Sequence, residues 1–185
     1  MTEKARAFLS IDIDDELLLD RITRVQSHLD VRDTHVKLVE RENVHFTLRF
    51  LGDTSVNKIE KIRDSLSSIS LSPFEIQTSG VWSFPRITRP SVVWVGVTMN
   101  GEKMIDLKKR IDEGLRELGY GQDRKFTPHA TIARIKSVQN RRPLIEAIEN
   151  KSDEEIGLMT VESYCMTKST LTPKGPIYET MWKLP

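Results

Sequence analysis

The chain has 185 residues, a formal net charge of +1 from 28 basic and 27 acidic side chains, and 38% hydrophobic content. That is enough to bury a core and too apolar for a disordered chain, and the even charge excludes a polycationic binder while leaving a local basic cleft possible. No apolar run could span a bilayer. Cys165 stands alone, so no internal disulfide can form, and the opening MTEKARAFLSIDIDDE is broken by Asp12, Asp14 and Asp15, unlike an export signal. A cytoplasmic protein with no membrane partner is expected.

In chain order, residues 7–13 read as a strand and residues 14–29 as a helix, with Leu17, Leu18, Ile22, Val25 and Leu29 at helical spacing. Val36–Val39 is a short strand and VHFTLRFLG (44–52) a strong one. Residues 55–69 form a second helix through Val56, Ile59, Ile62, Leu66 and Ile69. Strands follow near 74–82 and over 91–99, joined by FPRITRP read as a turn-rich link. A third helix covers 102–118 and stops at Gly119. A strand at 129–135, a short helix over 142–150 and strands near 157–167 and 176–183 complete an α+β pattern with a possible internal duplication.

Two of the four histidines share a context: His45-Phe46-Thr47-Leu48 and His129-Ala130-Thr131-Ile132. In a strand, residues i and i+2 share a face, so each His stands beside its Thr while the apolar residues point inward. Metal-free cleavage of a phosphodiester needs one group to deprotonate the attacking oxygen and another to protonate the leaving oxygen, and two histidines can do both near neutrality. The threonine hydroxyls can donate to non-bridging oxygens. Two histidines without a nearby Cys, Asp or third His underfill a zinc shell, so no metal is expected. His28 and His35 lack a Thr partner and read as surface residues.

Basic residues gather at Arg86 with Arg89, Arg124 with Lys125, Arg134 with Lys136, and Arg141 with Arg142. Most of these read as solvated surface. Alternation sets Arg49 on the histidine face as a phosphate ligand and turns Arg134 away, unless a bulge or the strand end brings it back. Phe84, in the SFPR turn, could stack on a base or pack the turn.

RAFLSIDI, ENVHFTLRFLGD, FPRITRPSVVWVGV, FTPHATIARIK and KSTLTPKGPIYE, in this order over nearly the whole chain, resemble the 2H phosphoesterases, and within them the RNA 2′,3′-cyclic phosphodiesterases, also called 2′-5′ RNA ligases. The resemblance implies one bilobal domain over residues 1–185, of two related halves with a His-x-Thr from each in a central cleft. It implies His45 and His129 as catalysts, Thr47, Thr131 and Arg134 as substrate ligands, no cofactor, and hydrolysis of 2′,3′-cyclic RNA ends to 2′-phosphates. It also implies possible 2′-5′ joining of tRNA halves. By analogy with other two-histidine enzymes, His45 is the acid and His129 the base. RNA termini are the expected partners, with a monomer as the working unit. Two alternatives stay open at this stage: a cyclic phosphodiesterase for a small nucleotide, and an RNA-end-binding module without catalysis. Ala130 stands where many relatives of this kind carry a larger apolar residue, which bears on packing rather than chemistry.

Overall fold

In the computed structural model, residues 4–29, 32–121, 123, 125–173 and 175–185 are described; Arg124 of the sequence clusters lies outside them. The elements are β1 (Lys4–Asp12), α1 (Glu16–Ser27), β2 (Thr34–Leu38), β3 (His45–Ser55), α2 (Val56–Leu66), β4 (Phe74–Arg86), β5 (Arg89–Met99), α3 (Gly101–Arg116), β6 (His129–Val138), α4 (Arg142–Glu149), β7 (Glu155–Val161), β8 (Tyr164–Thr172) and β9 (Gly175–Leu184). One 3₁₀ turn, Arg41–Asn43, leads into β3.

The strands form one sheet in the order β7-β4-β5-β6-β3-β1-β8-β9, with β2 paired to β6; the pairings are antiparallel. Leu9, Ile11, Phe46 and Leu48 from one lobe and Val93, Val95, Ala130 and Ile132 from the other join the apolar sides of the helices in a single core. Each fully buried side chain of this size contributes roughly 1.5–3 kcal/mol. In α1 the buried Leu18, Leu19, Ile22 and Val25 therefore outweigh the N-cap, where Asp15 accepts from the Leu18 amide at 2.8 Å, worth about 1 kcal/mol. Among the described residues no helix is long and apolar enough to cross a membrane.

Two expected elements differ in detail. The FPRITRP segment is mostly strand: β4 runs to Arg86, β5 starts at Arg89, and Pro85 is laddered to Pro90. The hairpin needs only Ile87 and Thr88 to turn, and the prolines stand opposite each other where neither has a ladder amide to give. The expected strand near 157–167 is two strands, broken at Glu162 and Ser163, because β7 pairs with β4 and β8 with β1 at the other end of the sheet.

The duplication is plain in the ladders. Ser10, Ile11 and Asp12 face Thr47, Phe46 and His45; Trp94, Val95 and Gly96, each 84 positions on, face Thr131, Ala130 and His129. Both ladders then slip at the same place. Leu9 pairs with Arg49 rather than Leu48, and Val93 with Ala133 rather than Ile132, so each histidine-bearing strand carries a β-bulge just past its threonine.

Each lobe is built from both sequence halves. The lobe of β4, β5, β6 and β7 packs against α1 and α4, whereas α3 packs against α2 beside β3. One bond of this crossed packing reaches a bulge: buried Gln26 of α1 donates to the carbonyls of Val39 and Ile132, both at 2.8 Å. Replacing Gln26 with Leu keeps the volume and removes both bonds, leaving the Val39 carbonyl without this donor. We expect a loss of about 1–3 kcal/mol in urea unfolding; a change within a few tenths would show the bonds to be idle.

Candidate active site

Among the described residues β3 and β6 are laddered at one pair, Phe46 against Ala130, the residues between His and Thr in each motif. Antiparallel register then sets His45 opposite Thr131 and Thr47 opposite His129 on the cleft face. The two histidines occupy the diagonal of this square, a separation of roughly 7–8 Å for diagonal neighbours, which leaves room for one phosphate between them. Phe46 and Ala130 share the buried side of the seam, the large ring of one half standing against the small side chain of the other.

Both imidazoles are fixed in the same way. His45 Nδ1 lies 2.8 Å from the Asn43 carbonyl and His129 Nδ1 2.6 Å from the Thr127 carbonyl. A carbonyl only accepts, so each Nδ1 carries a proton and each Nε2 is left for chemistry. In the neutral ring, His45 Nε2 accepts from the Thr47 hydroxyl at 2.8 Å. Aromatic rings hold the remaining edges. Phe8 stacks on His45 with centroids 4.9 Å apart, and Tyr178 meets it edge-on at 5.3 Å. Phe84 and Trp94 meet His129 at 5.1 and 5.4 Å.

Burial is the largest influence on both histidines and pushes their pKa values below 6.5. For His45 the Asn43 carbonyl and the Asp12 carboxylate oppose this, while His129 and Arg134 add to it; for His129 the Thr127 carbonyl opposes it. The charges of His129 and Arg134 are both felt at His45.

The matched bulges reverse the expectation for the two arginines. Past its bulge, Arg49 turns from the histidine face to the helices, where its guanidinium lies 3.2 Å from Asp112 and 3.3 Å from Asp123 and donates to the Gly121 carbonyl at 2.7 Å. Lys108, also buried, joins the same two carboxylates. Arg49 is therefore held in a buried ion network, not presented to a phosphate. Arg134, past the other bulge, returns to the cleft face and stays exposed; its charge reaches Tyr178 as well as His45. Phe84 does line the cleft, with one face stacked on Trp94 at 4.9 Å.

Sequence reasoning missed Phe8, Trp94, Tyr178 and Asp12. Alternation along β1 puts Phe8, Ser10 and Asp12 on one face, a signal that was available; Tyr178 reaches His45 only through the register of the last hairpin. Phe50 was also missed. It takes, in the first half, the place that Arg134 takes in the second, since Phe8 faces the one and Val92 the other.

A bilobal sheet with a histidine and a threonine from each repeat across one cleft defines a phosphoesterase. The profile of the LigT like phosphoesterase family matches residues 12–94 and again residues 95–178, and the chain belongs to that family. The RNA 2′,3′-cyclic phosphodiesterase of Methanothermobacter thermautotrophicus is 41% identical over 182 residues, covering 96% of this chain and 97% of its own. That of Methanocaldococcus jannaschii is 36% identical over 174 residues, 94% and 96% of the two chains. A crystal structure from Thermus thermophilus superimposes with a TM-score of 0.80 at 25% identity, covering 97% and 96%. Escherichia coli LigT in its apo form has the same fold, with a TM-score of 0.77 at 20% identity over 98% and 97%.

Two outcomes follow. Because both histidines hold protons less readily in the fold than at 6.5, the unfolded chain binds more protons between their lowered values and 6.5. Stability should therefore be full above about pH 6.5 and fall as pH drops through that window. Denaturation midpoints from pH 7.5 to 5 should show this slope, and replacing both histidines with Gln should flatten it. For Arg49, substitution by Ala removes its bonds to Asp112 and to the Gly121 carbonyl and leaves Lys108 to face both carboxylates; it should cost about 1.5–3 kcal/mol in unfolding free energy, whereas a phosphate ligand would be lost with little change in stability.

Proposed function

We propose that the protein hydrolyses the 2′,3′-cyclic phosphate at an RNA 3′ end to a 2′-phosphate, without a metal ion. The observation that carries this reading is the diagonal register of His45 and His129 about the Phe46–Ala130 seam, each ring held through Nδ1 by a backbone carbonyl. Support also comes from the relatives named RNA 2′,3′-cyclic phosphodiesterase. Among the described residues no three His, Cys, Asp or Glu side chains gather as a metal site would require, in keeping with proton transfer by the histidines alone.

In this reading one neutral and one protonated histidine flank the phosphorus. His129 Nε2 takes a proton from water as its oxygen bonds to phosphorus. The bond to the 3′-oxygen breaks, and His45 Nε2–H protonates that oxygen. Thr47 and Thr131 donate to the non-bridging oxygens while Arg134 adds a positive charge beside them, and Phe84 offers its outer face to a base. Asp12, laddered to His45 where Gly96 is laddered to His129, sets a carboxylate beside one histidine only, and this asymmetry supports His45 as the acid. A 5′-hydroxyl in place of water would give a 2′-5′ joined product by the same step, as joining of tRNA halves requires. Both motifs meet across one seam of a single sheet, which supports residues 1–185 acting as one domain; a monomer is the working unit of this reading. A reducing, cytoplasmic setting suits the lone buried Cys165.

The test is an RNA oligomer with a 2′,3′-cyclic end, incubated in EDTA, with the product end identified. A 2′-phosphate is expected, with turnover unchanged by the chelator; a 3′-phosphate, or loss restored by a divalent ion, overturns the reading. His45→Ala and His129→Ala should each lower kcat by about 100-fold or more, and the double variant should be little worse than either single one, since the two histidines act as a unit. Near-normal turnover in either variant overturns the acid–base pairing. A 3′-thio leaving group, which needs no proton, should restore His45→Ala and not His129→Ala; the opposite rescue reverses the roles.

A further inference from the structure

The cleft face carries more than the two motifs. Cross-strand pairing aligns Phe84, Val92, Arg134 and Lys37 in one row over β4, β5, β6 and β2. The row nearer the histidines holds Trp82, Trp94 and Thr131. Successive same-face positions along a strand are about 7 Å apart, so these rows step away from the reacting phosphate along the β4–β5 hairpin. The hairpin ends a further step out, at Arg86 laddered to Arg89.

The chemistry of this hairpin is one-sided. From Thr78 to Asn100 there is no Asp or Glu. Trp82 is 44% exposed, with its ring 6.5 Å from Trp94, which in turn stacks on Phe84. Among the described residues, Arg86 and Arg89 have no ion-pair partner. The flank on the His45 side contrasts with it. In the β8–β9 hairpin Lys168 is paired with Glu179 at 3.5 Å, Leu171 and Ile177 stand exposed, and Phe50 occupies the place matching Arg134. A single RNA strand needs cations for its phosphates and aromatic faces for its bases, and the β4–β5 flank from Thr78 to Asn100 supplies both without an acidic side chain.

We propose that the β4–β5 hairpin is a track for the RNA strand leading into the site. Trp82 takes a base one or two nucleotides 5′ of the cyclic end, and Arg86 with Arg89 takes the phosphates upstream of it. The inference rests on the proposed function and narrows it: the preferred substrate is a single-stranded oligoribonucleotide, and a mononucleoside 2′,3′-cyclic phosphate, too short to reach the track, is the poorer one.

The experiment compares kcat/KM for uridine 2′,3′-cyclic phosphate and for a hexaribonucleotide with the same end, in the full chain and in R86A/R89A. The preference for the hexamer should fall by about 10-fold in the variant through KM, and R86K/R89K should recover most of it. By anisotropy with a hexamer ending in a 2′-phosphate, the slope of log affinity against log salt should shrink by about 1–2 in R86A/R89A. Abasic residues at the two upstream positions should weaken binding by about 10-fold. An unchanged hexamer preference together with an unchanged salt slope overturns the arginine track, and an unchanged affinity for the abasic hexamer overturns stacking on Trp82. If the wild type turns over neither substrate, the proposed function fails, and the anisotropy measurements still decide the track.

Discussion

The site depends on the backbone pair between Phe46 and Ala130. It is where β3 and β6 are laddered, and it fixes the register of two otherwise divergent strands to the residue. A slip by one position would carry a whole motif from the cleft face to the core face. The core side of the seam resists that slip, because Phe46 and Ala130 are both fully buried and an inward-turned histidine or threonine would lose its water without a partner. Beyond the seam, each strand bulges and bends towards its own lobe, and the cleft opens between them.

Much of this was legible in the amino acids. His-x-Thr in an apolar strand reads directly as two polar side chains on one face, because the period of two is a property of any strand. The arginines were not legible in the same way. Arg49 and Arg134 sit two residues and three residues past their threonines, and a bulge of one residue between leaves no mark on either pattern. Alternation alone set Arg49 on the histidine face and turned Arg134 away, and the two bulges reverse both faces. The aromatic collars were half legible, since Phe8 shares a strand face with Ser10 and Asp12 while Tyr178 depends on long-range register. The crossed packing of α1 and α3 was beyond reach, because an amphipathic helix declares that it has an apolar side without declaring which strands will cover it.

The backbone of the site is nearly twofold and its side chains are not. Asp12 answers Gly96, Phe50 answers Arg134, and Ser10 answers Trp94. A reaction in which one oxygen arrives and another leaves has a direction, and a symmetric pair of histidines would have none. Under the proposed function, the differences that would supply that direction flank the motifs, where they alter charge and bulk without disturbing the hydrogen bonds that orient each imidazole.

The exchange of helices between halves also bears on how such a molecule can be assembled. Gln26, from the first repeat, closes the bulge of the second; Asp112, from the second, neutralises the arginine at the bulge of the first. A single repeat synthesised by itself would expose the underside of its histidine-bearing strand and carry a helix with nothing beneath it. It could complete its core only by trading helices with another copy, so a lone repeat would have to work as an intertwined dimer. The tandem chain achieves by covalent linkage what that dimer would owe to concentration, and gains the freedom to let its two halves differ.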